Sequence, residues 1–107
     1  MSVGIHKRGK VVDCNNALYG DGPFSPERAG SLPSWDIINL CYSGKYTKEQ
    51  MKRIVTGSGG VVSYTGSNSF MELEKGVHSG DKKSIEVLEA FAYQIAKQIG
   101  ALSTVVG

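Results

Sequence analysis

Residues 15–30 read Asn15-Asn16-Ala17-Leu18-Tyr19-Gly20-Asp21-Gly22-Pro23-Phe24-Ser25-Pro26-Glu27-Arg28-Ala29-Gly30. The stretch has neither a helical nor a strand period. It packs three glycines, two prolines and one arginine into sixteen residues. Pro23 and Pro26 fix φ and remove two N–H donors, so a shaped loop is expected rather than a slack one. Long unstructured loops inside small domains are mostly functional or disordered. The apolar residues Ala17, Leu18, Tyr19 and Phe24 argue for order. Near the far end a short turn between Pro26 and Gly30 carries Arg28. The loop is read as a presenter of that side chain.

Upstream of the loop, Ser2–His6 and Lys10–Cys14 read as two short strands, with β-branched Val3, Ile5, Val11 and Val12. Lys7-Arg8-Gly9 forms the turn between them. A lone hairpin is marginal in water, and no convincing set of further strands follows. Downstream the signals are helical. Ser34 is expected to cap a short helix carrying Trp35, Ile37, Ile38, Leu40 and Cys41. Thr47 and Gln50 make a capping box for a helix Lys48–Thr56, which Gly57 stops. Gly57-Ser58-Gly59-Gly60 reads as a turn, and Val61–Tyr64 as a short extended run. A second capping box, Ser69 with Glu72, opens a helix with Phe70, Leu73 and Val77. Asp81 then introduces the longest element, 82–105, whose Ile85, Leu88, Ala92, Ile95, Ile99 and Leu102 form an amphipathic stripe that Phe91 and Ala96 widen into a core-facing surface.

The 107 residues are enough for one small core. Hydrophobic residues make up 40% and charged residues 21%, and the net charge of +2 is too weak to point to nucleic acid. No apolar run reaches the length of a membrane span. Cys14 and Cys41 fit no CxxC pattern, so two core thiols in a reducing cytoplasm are expected.

Arg28 is the strongest candidate for chemistry, because a guanidinium is permanently charged and offers planar donors to phosphate or carboxylate. The plain alternative is an arginine paired with Glu27, Asp21 or Asp36 to hold the loop, and spacing alone favours it. His6 and His78 lack metal-ligand spacing. Asn15 and Asn16 are expected to hydrogen-bond the loop backbone. The Gly57–Gly60 run lacks the Lys-Ser/Thr pair of a phosphate-binding P-loop.

The runs Asn15-Asn16-Ala17-Leu18 and Gly22-Pro23-Phe24-Ser25-Pro26-Glu27-Arg28-Ala29-Gly30 resemble butyrate kinases of the acetokinase family. So do Leu40-Cys41-Tyr42-Ser43-Gly44-Lys45-Tyr46-Thr47 and Ala92-Tyr93-Gln94-Ile95-Ala96-Lys97. The resemblance covers essentially the whole chain. It implies an α+β piece of an actin-like, ribonuclease-H-like domain of the acetate and sugar kinase type. Residues 1–107 would be one partial domain: hairpin 2–14, active-site loop 15–30 and helical segment 34–105. It further implies transfer of the γ-phosphoryl group of ATP, with Mg²⁺, to butyrate or a similar short-chain carboxylate. Arg28 matches the arginine that stabilises the transferring group in the related acetate kinases.

Other assignments implied by the resemblance are a nucleotide contact at Asn68 and an acyl-chain contact at Pro23 and Phe24, for which loop packing is the alternative. The segment around Asn68 departs from the family pattern, lacking its acid and its arginine, and Tyr19 stands where an acid is expected. The family's glycine-rich phosphate loop would precede Ser2, and its adenosine-binding strand would follow Gly107. The chain would thus be an internal segment of the second domain, inactive without the remainder of the kinase. The rival expectation is a stand-alone helical module for interaction or dimerisation, without catalysis.

Overall fold

The computed structural model describes all 107 residues. The chain opens with an antiparallel hairpin, β1 (Gly4–Lys7) and β2 (Lys10–Cys14). Arg8 (φ 51°) and Gly9 (φ 75°) both lie in the left-handed region, which gives the two-residue turn that matches strand twist. The loop 15–33 follows, and then five helices: α1 (Ser34–Cys41), α2 (Lys48–Thr56), α3 (Val61–Thr65), α4 (Phe70–His78) and α5 (Lys82–Val106). The sheet has only the two strands. A hairpin followed by a mainly helical chain agrees with the expected α+β class.

Local signals account for most helix starts. At α2 the Gln50 N–H donates to Thr47 Oγ1 (3.2 Å) and the Thr47 N–H donates to Gln50 Oε1 (2.8 Å), completing the capping box. At α4 the Glu72 N–H donates to Ser69 Oγ, but the return bond is missing; Glu72 instead lies 3.7 Å from Lys75. Asp81 caps α5 by accepting from both the N–H and the hydroxyl of Ser84. Those two bonds hold its carboxyl below the usual carboxylate range. Ser34 does not cap α1. Pro33 occupies that position, and no side chain caps the helix.

Three expectations need correction. Val61–Thr65 is helical, not extended. Its β-branched pair is overridden because the Val61 and Val62 N–H groups are satisfied by Ser25 O (3.0 Å) and Pro26 O (2.9 Å) in the loop, and because Val61 is wholly buried. Cys14 and Cys41 are free and exposed rather than core thiols. They lie on β2, which is exposed along its whole length, and on α1, which buries no residue. The buried line of α5 runs through Ser84, Val87, Phe91 and Leu102. In its first half it is displaced by one residue from the expected stripe, about 100° of helical turn. Ile85, Leu88 and Ile95 are only half-buried and Ile99 is exposed.

The core is small: Phe24, Val61, Leu73, Val87 and Phe91, with Met1, Leu88 and Ile95 packed against it. Phe24 comes from the loop and meets Phe91 edge-on with ring centroids 5.5 Å apart. Core residues from the loop, α3, α4 and α5 therefore meet at one aromatic centre. No helix is long and apolar enough to cross a membrane.

Candidate functional site

The loop that carries Arg28 is fastened by main chain. Between Pro26 and Gly30 the backbone doubles back: the Ser25 N–H donates to Arg28 O (3.0 Å), and the Arg28 N–H donates to Ser25 Oγ (3.1 Å). On its other side this turn lies against the α2–α3 connection. The Ala29 N–H donates to Val55 O, while the N–H groups of Gly59, Val61 and Val62 donate to Glu27 O, Ser25 O and Pro26 O. Such close docking needs a backbone without side chains. A Cβ on Gly60 would stand 1.9 Å from Ser25 O, and one on Gly59 would stand 2.6 Å from Ala29 N. Gly60 also sits at φ 68°, where L side chains are strained. The Gly57–Gly60 run is therefore more than a turn; it is the seat of the loop.

Two side chains tie down the other end. Asn15 is buried and spends its whole amide: the Val3 N–H donates to Oδ1 (2.7 Å), and Nδ2 donates to Met1 O and Asp21 O (both 2.9 Å). It thus joins the start of the chain, the end of the hairpin and the loop. Gln94 on α5 accepts from the Phe24 N–H at 3.1 Å. Replacing Asn15 with Ala leaves one N–H and two carbonyls without their partner. The expected cost is about 2–3 kcal/mol, read as a lower urea midpoint at unchanged slope.

Arg28 itself is half-buried, and its Nε is sealed from solvent with no hydrogen-bond partner. No carboxylate neutralises it. The acids that lie against basic side chains are Glu72, beside Lys75, and Glu74, beside His78, so Glu27, Asp21 and Asp36 do not pair with it. Glu27 is engaged elsewhere, accepting from Asn68 Nδ2 at 3.3 Å. The N-terminal ammonium of Met1 donates to Pro23 O. Burial, and then repulsion from Arg28, lower its pKa. The guanidinium is thus carried on a firmly bonded stretch of backbone, with an Nε donor that the chain does not use.

The remaining sequence candidates fall as follows. Asn68 is exposed and is brought beside the loop through Glu27. Pro23 and Phe24 are buried, Phe24 at 4% exposure in the core. Their packing role is thereby plain. Phe24 also lines a cavity of about 240 Å³ with Ala29, Leu32, Ile54 and Tyr64 among its neighbours. No three His, Cys, Asp or Glu side chains converge. Sequence reading missed the seat at Gly59–Gly60 and the tether at Gln94. The first is visible as a glycine run; the second bridges 70 residues and leaves no local signal.

The fold has close counterparts. An acetate kinase from Porphyromonas gingivalis superposes with a TM-score of 0.86 at 21% identity, covering 99% of this chain and 27% of that one. A propionate kinase from Francisella tularensis gives 0.83 at 20% identity, covering 97% and 27%. The chain therefore has the architecture of a segment of these kinases, whose fold is actin-like. By sequence its relatives are butyrate kinases. It is 54% identical over 105 residues to a probable butyrate kinase of Listeria monocytogenes and 51% identical to that of Listeria innocua, covering 98% of the chain. It spans 30% of the length of these relatives. No family model matches the chain.

Proposed function

We propose that this chain is part of a butyrate kinase and presents Arg28 to the phosphoryl group passing from ATP to a short-chain carboxylate such as butyrate. A carboxylate oxygen bonds to the γ-phosphorus as the bond to the ADP oxygen breaks, giving an acyl phosphate and ADP. Both reactants are anionic, and the transferring group spreads charge over its equatorial oxygens. A guanidinium already held in place offsets that charge without reorganising. One observation carries the reading: Arg28 is clamped by backbone bonds, yet its Nε is buried and unbonded and no acid pairs with it. A buried donor without a partner costs stability, and nothing in the fold of this chain requires it.

Asn68, exposed beside Glu27, is the nucleotide contact in this reading. Phe24 and Pro23 serve the site through the loop, with Phe24 also walling the adjacent cavity. Mg²⁺ accompanies ATP in such kinases, but this chain brings together no donor set for it. The free thiols suit a reducing cytoplasm, where we place the enzyme. The purified chain, given ATP, Mg²⁺ and butyrate, is expected to form no acyl phosphate, as read by hydroxamate trapping. Turnover by the chain alone would overturn the shared-site reading.

A further inference from the structure

The two limbs of the loop that carries Arg28 are held by different means. Ser25–Ala29 meet α2, α3 and their connection through main chain alone. The incoming limb has fewer groups to offer. Pro23 has no N–H. Gly22 is occupied at the neck of the loop, where its N–H donates to Ser31 Oγ and its carbonyl accepts from the Ser31 N–H (both 2.8 Å). Between the neck and Ser25 the one backbone donor is the Phe24 N–H. Its acceptor is Gln94 Oε1 at 3.1 Å, the only hydrogen bond from α5 to the loop.

The bond makes a specific demand. The donor is an N–H, so the carboxamide must present its oxygen. Phe24 is buried, and a buried N–H that loses its acceptor has little water to fall back on. The ring of Phe24 sets the depth of the loop in the core, whereas the bond to Gln94 sets the orientation of the peptide plane. From there the path to Arg28 is short. The next residue, Ser25, donates its N–H to Arg28 O (3.0 Å) and accepts the Arg28 N–H at Oγ (3.1 Å). A rotation of the Phe24 peptide is thus passed through one residue to both polar groups of the Arg28 main chain.

We infer that Gln94 is a positioning residue: from α5 it fixes the Phe24 peptide, and through Ser25 it sets where Arg28 stands. For its catalytic consequence the inference rests on the proposed role of Arg28; the hold on the loop does not.

The test uses a complete butyrate kinase that carries this chain as its matched segment. Gln94→Met fills the same space and suits a helix, but accepts only weakly. Alanine is avoided, because Gln94 also lines a cavity of about 110 Å³ with Gly22, Pro23 and Ser31, and truncation would admit water to the neck. Gln94→Glu keeps an oxygen at the same reach. Amide exchange over residues 24–28 is read by mass spectrometry. Steady-state kinetics are measured at a temperature where circular dichroism shows every variant folded.

In Gln94→Met, exchange over 24–28 is expected to quicken about tenfold. Its kcat should fall about 10- to 100-fold, the scale of a small misplacement of a reacting group, with KM for ATP unchanged. Gln94→Glu should recover both. Added to Arg28→Ala, Gln94→Met should cost no more than about a further twofold, since there is no longer a guanidinium to place. Unchanged exchange, a Gln94→Glu no better than Gln94→Met, or the full loss repeated in the Arg28→Ala background would each overturn the inference. If Arg28→Ala spares kcat while Gln94→Met still frees residues 24–28, the hold on the loop stands and the phosphoryl role of Arg28 falls.

Discussion

Arg28→Ala, made in a butyrate kinase that carries this chain as its matched segment, is expected to lower kcat about a thousandfold or more, the range seen when an arginine that stabilises a transferring phosphoryl group is removed. KM for ATP should change little. In the proposed role, the charge that Arg28 offsets grows as the phosphoryl group leaves ADP, so its contribution falls on the transition state rather than on nucleotide binding. Arg28→Lys should recover little, since an ammonium lacks the planar fork of donors. Steady-state kinetics with butyrate as acceptor decide the matter. Equal losses in kcat and in ATP affinity would make Arg28 a structural residue.

The largest effect on stability is expected at Gly60. A Cβ there would meet a backbone carbonyl, Ser25 O, at 1.9 Å, and Arg28 O at 2.6 Å. Neither can retreat without breaking the bonds that seat the loop. Gly60→Ala should cost on the order of 4 kcal/mol and shift the urea midpoint accordingly. Gly66→Ala is the control. Gly66 has a similar φ, 79°, but nothing lies within 4 Å of its Cβ position. Only the left-handed backbone penalty of about 1–2 kcal/mol applies there. Equal losses at the two positions would show that the close contact with the loop is unimportant. If Gly60→Ala does not fold, Gly59→Ala can be compared with the control in its place.

Most of the local structure was legible in the sequence. Lys48–Thr56 appears with the bounds and the capping box that Thr47 and Gln50 dictate, and the hairpin and α5 also lie where their residues put them. What failed has a common cause. Val61–Tyr64 has strand-like residues, but the N–H groups of Val61 and Val62 find their partners in a loop more than 30 residues away, and tertiary context overrides weak propensity. The face of α5 is core-facing only in part: Phe91 lies in the core and Leu88 and Ile95 pack against it, but Ile99 is exposed. Apolar periodicity reports a face that is meant to be covered, not which chain covers it. For the site, the sequence could mark Arg28 and the glycines around it. It could not show whether Arg28 pairs with Glu27, Asp21 or Asp36. That depends on side-chain directions fixed by the seat, the Asn15 tether and the Gln94 bond.

The way the loop is fastened bears on how such an enzyme would have to move. Loops that close over substrates are usually hung on hinges and carry few fixed backbone bonds. The turn bearing Arg28 is the opposite: its amides and carbonyls are bonded across to Val55, Gly59, Val61 and Val62, and its ring anchor is sunk in the aromatic centre. The backbone beneath this guanidinium cannot swing in as a latch. In the proposed kinase, closure must therefore bring the reactants to this stationary turn, and the travel in each cycle belongs to parts of the enzyme outside it.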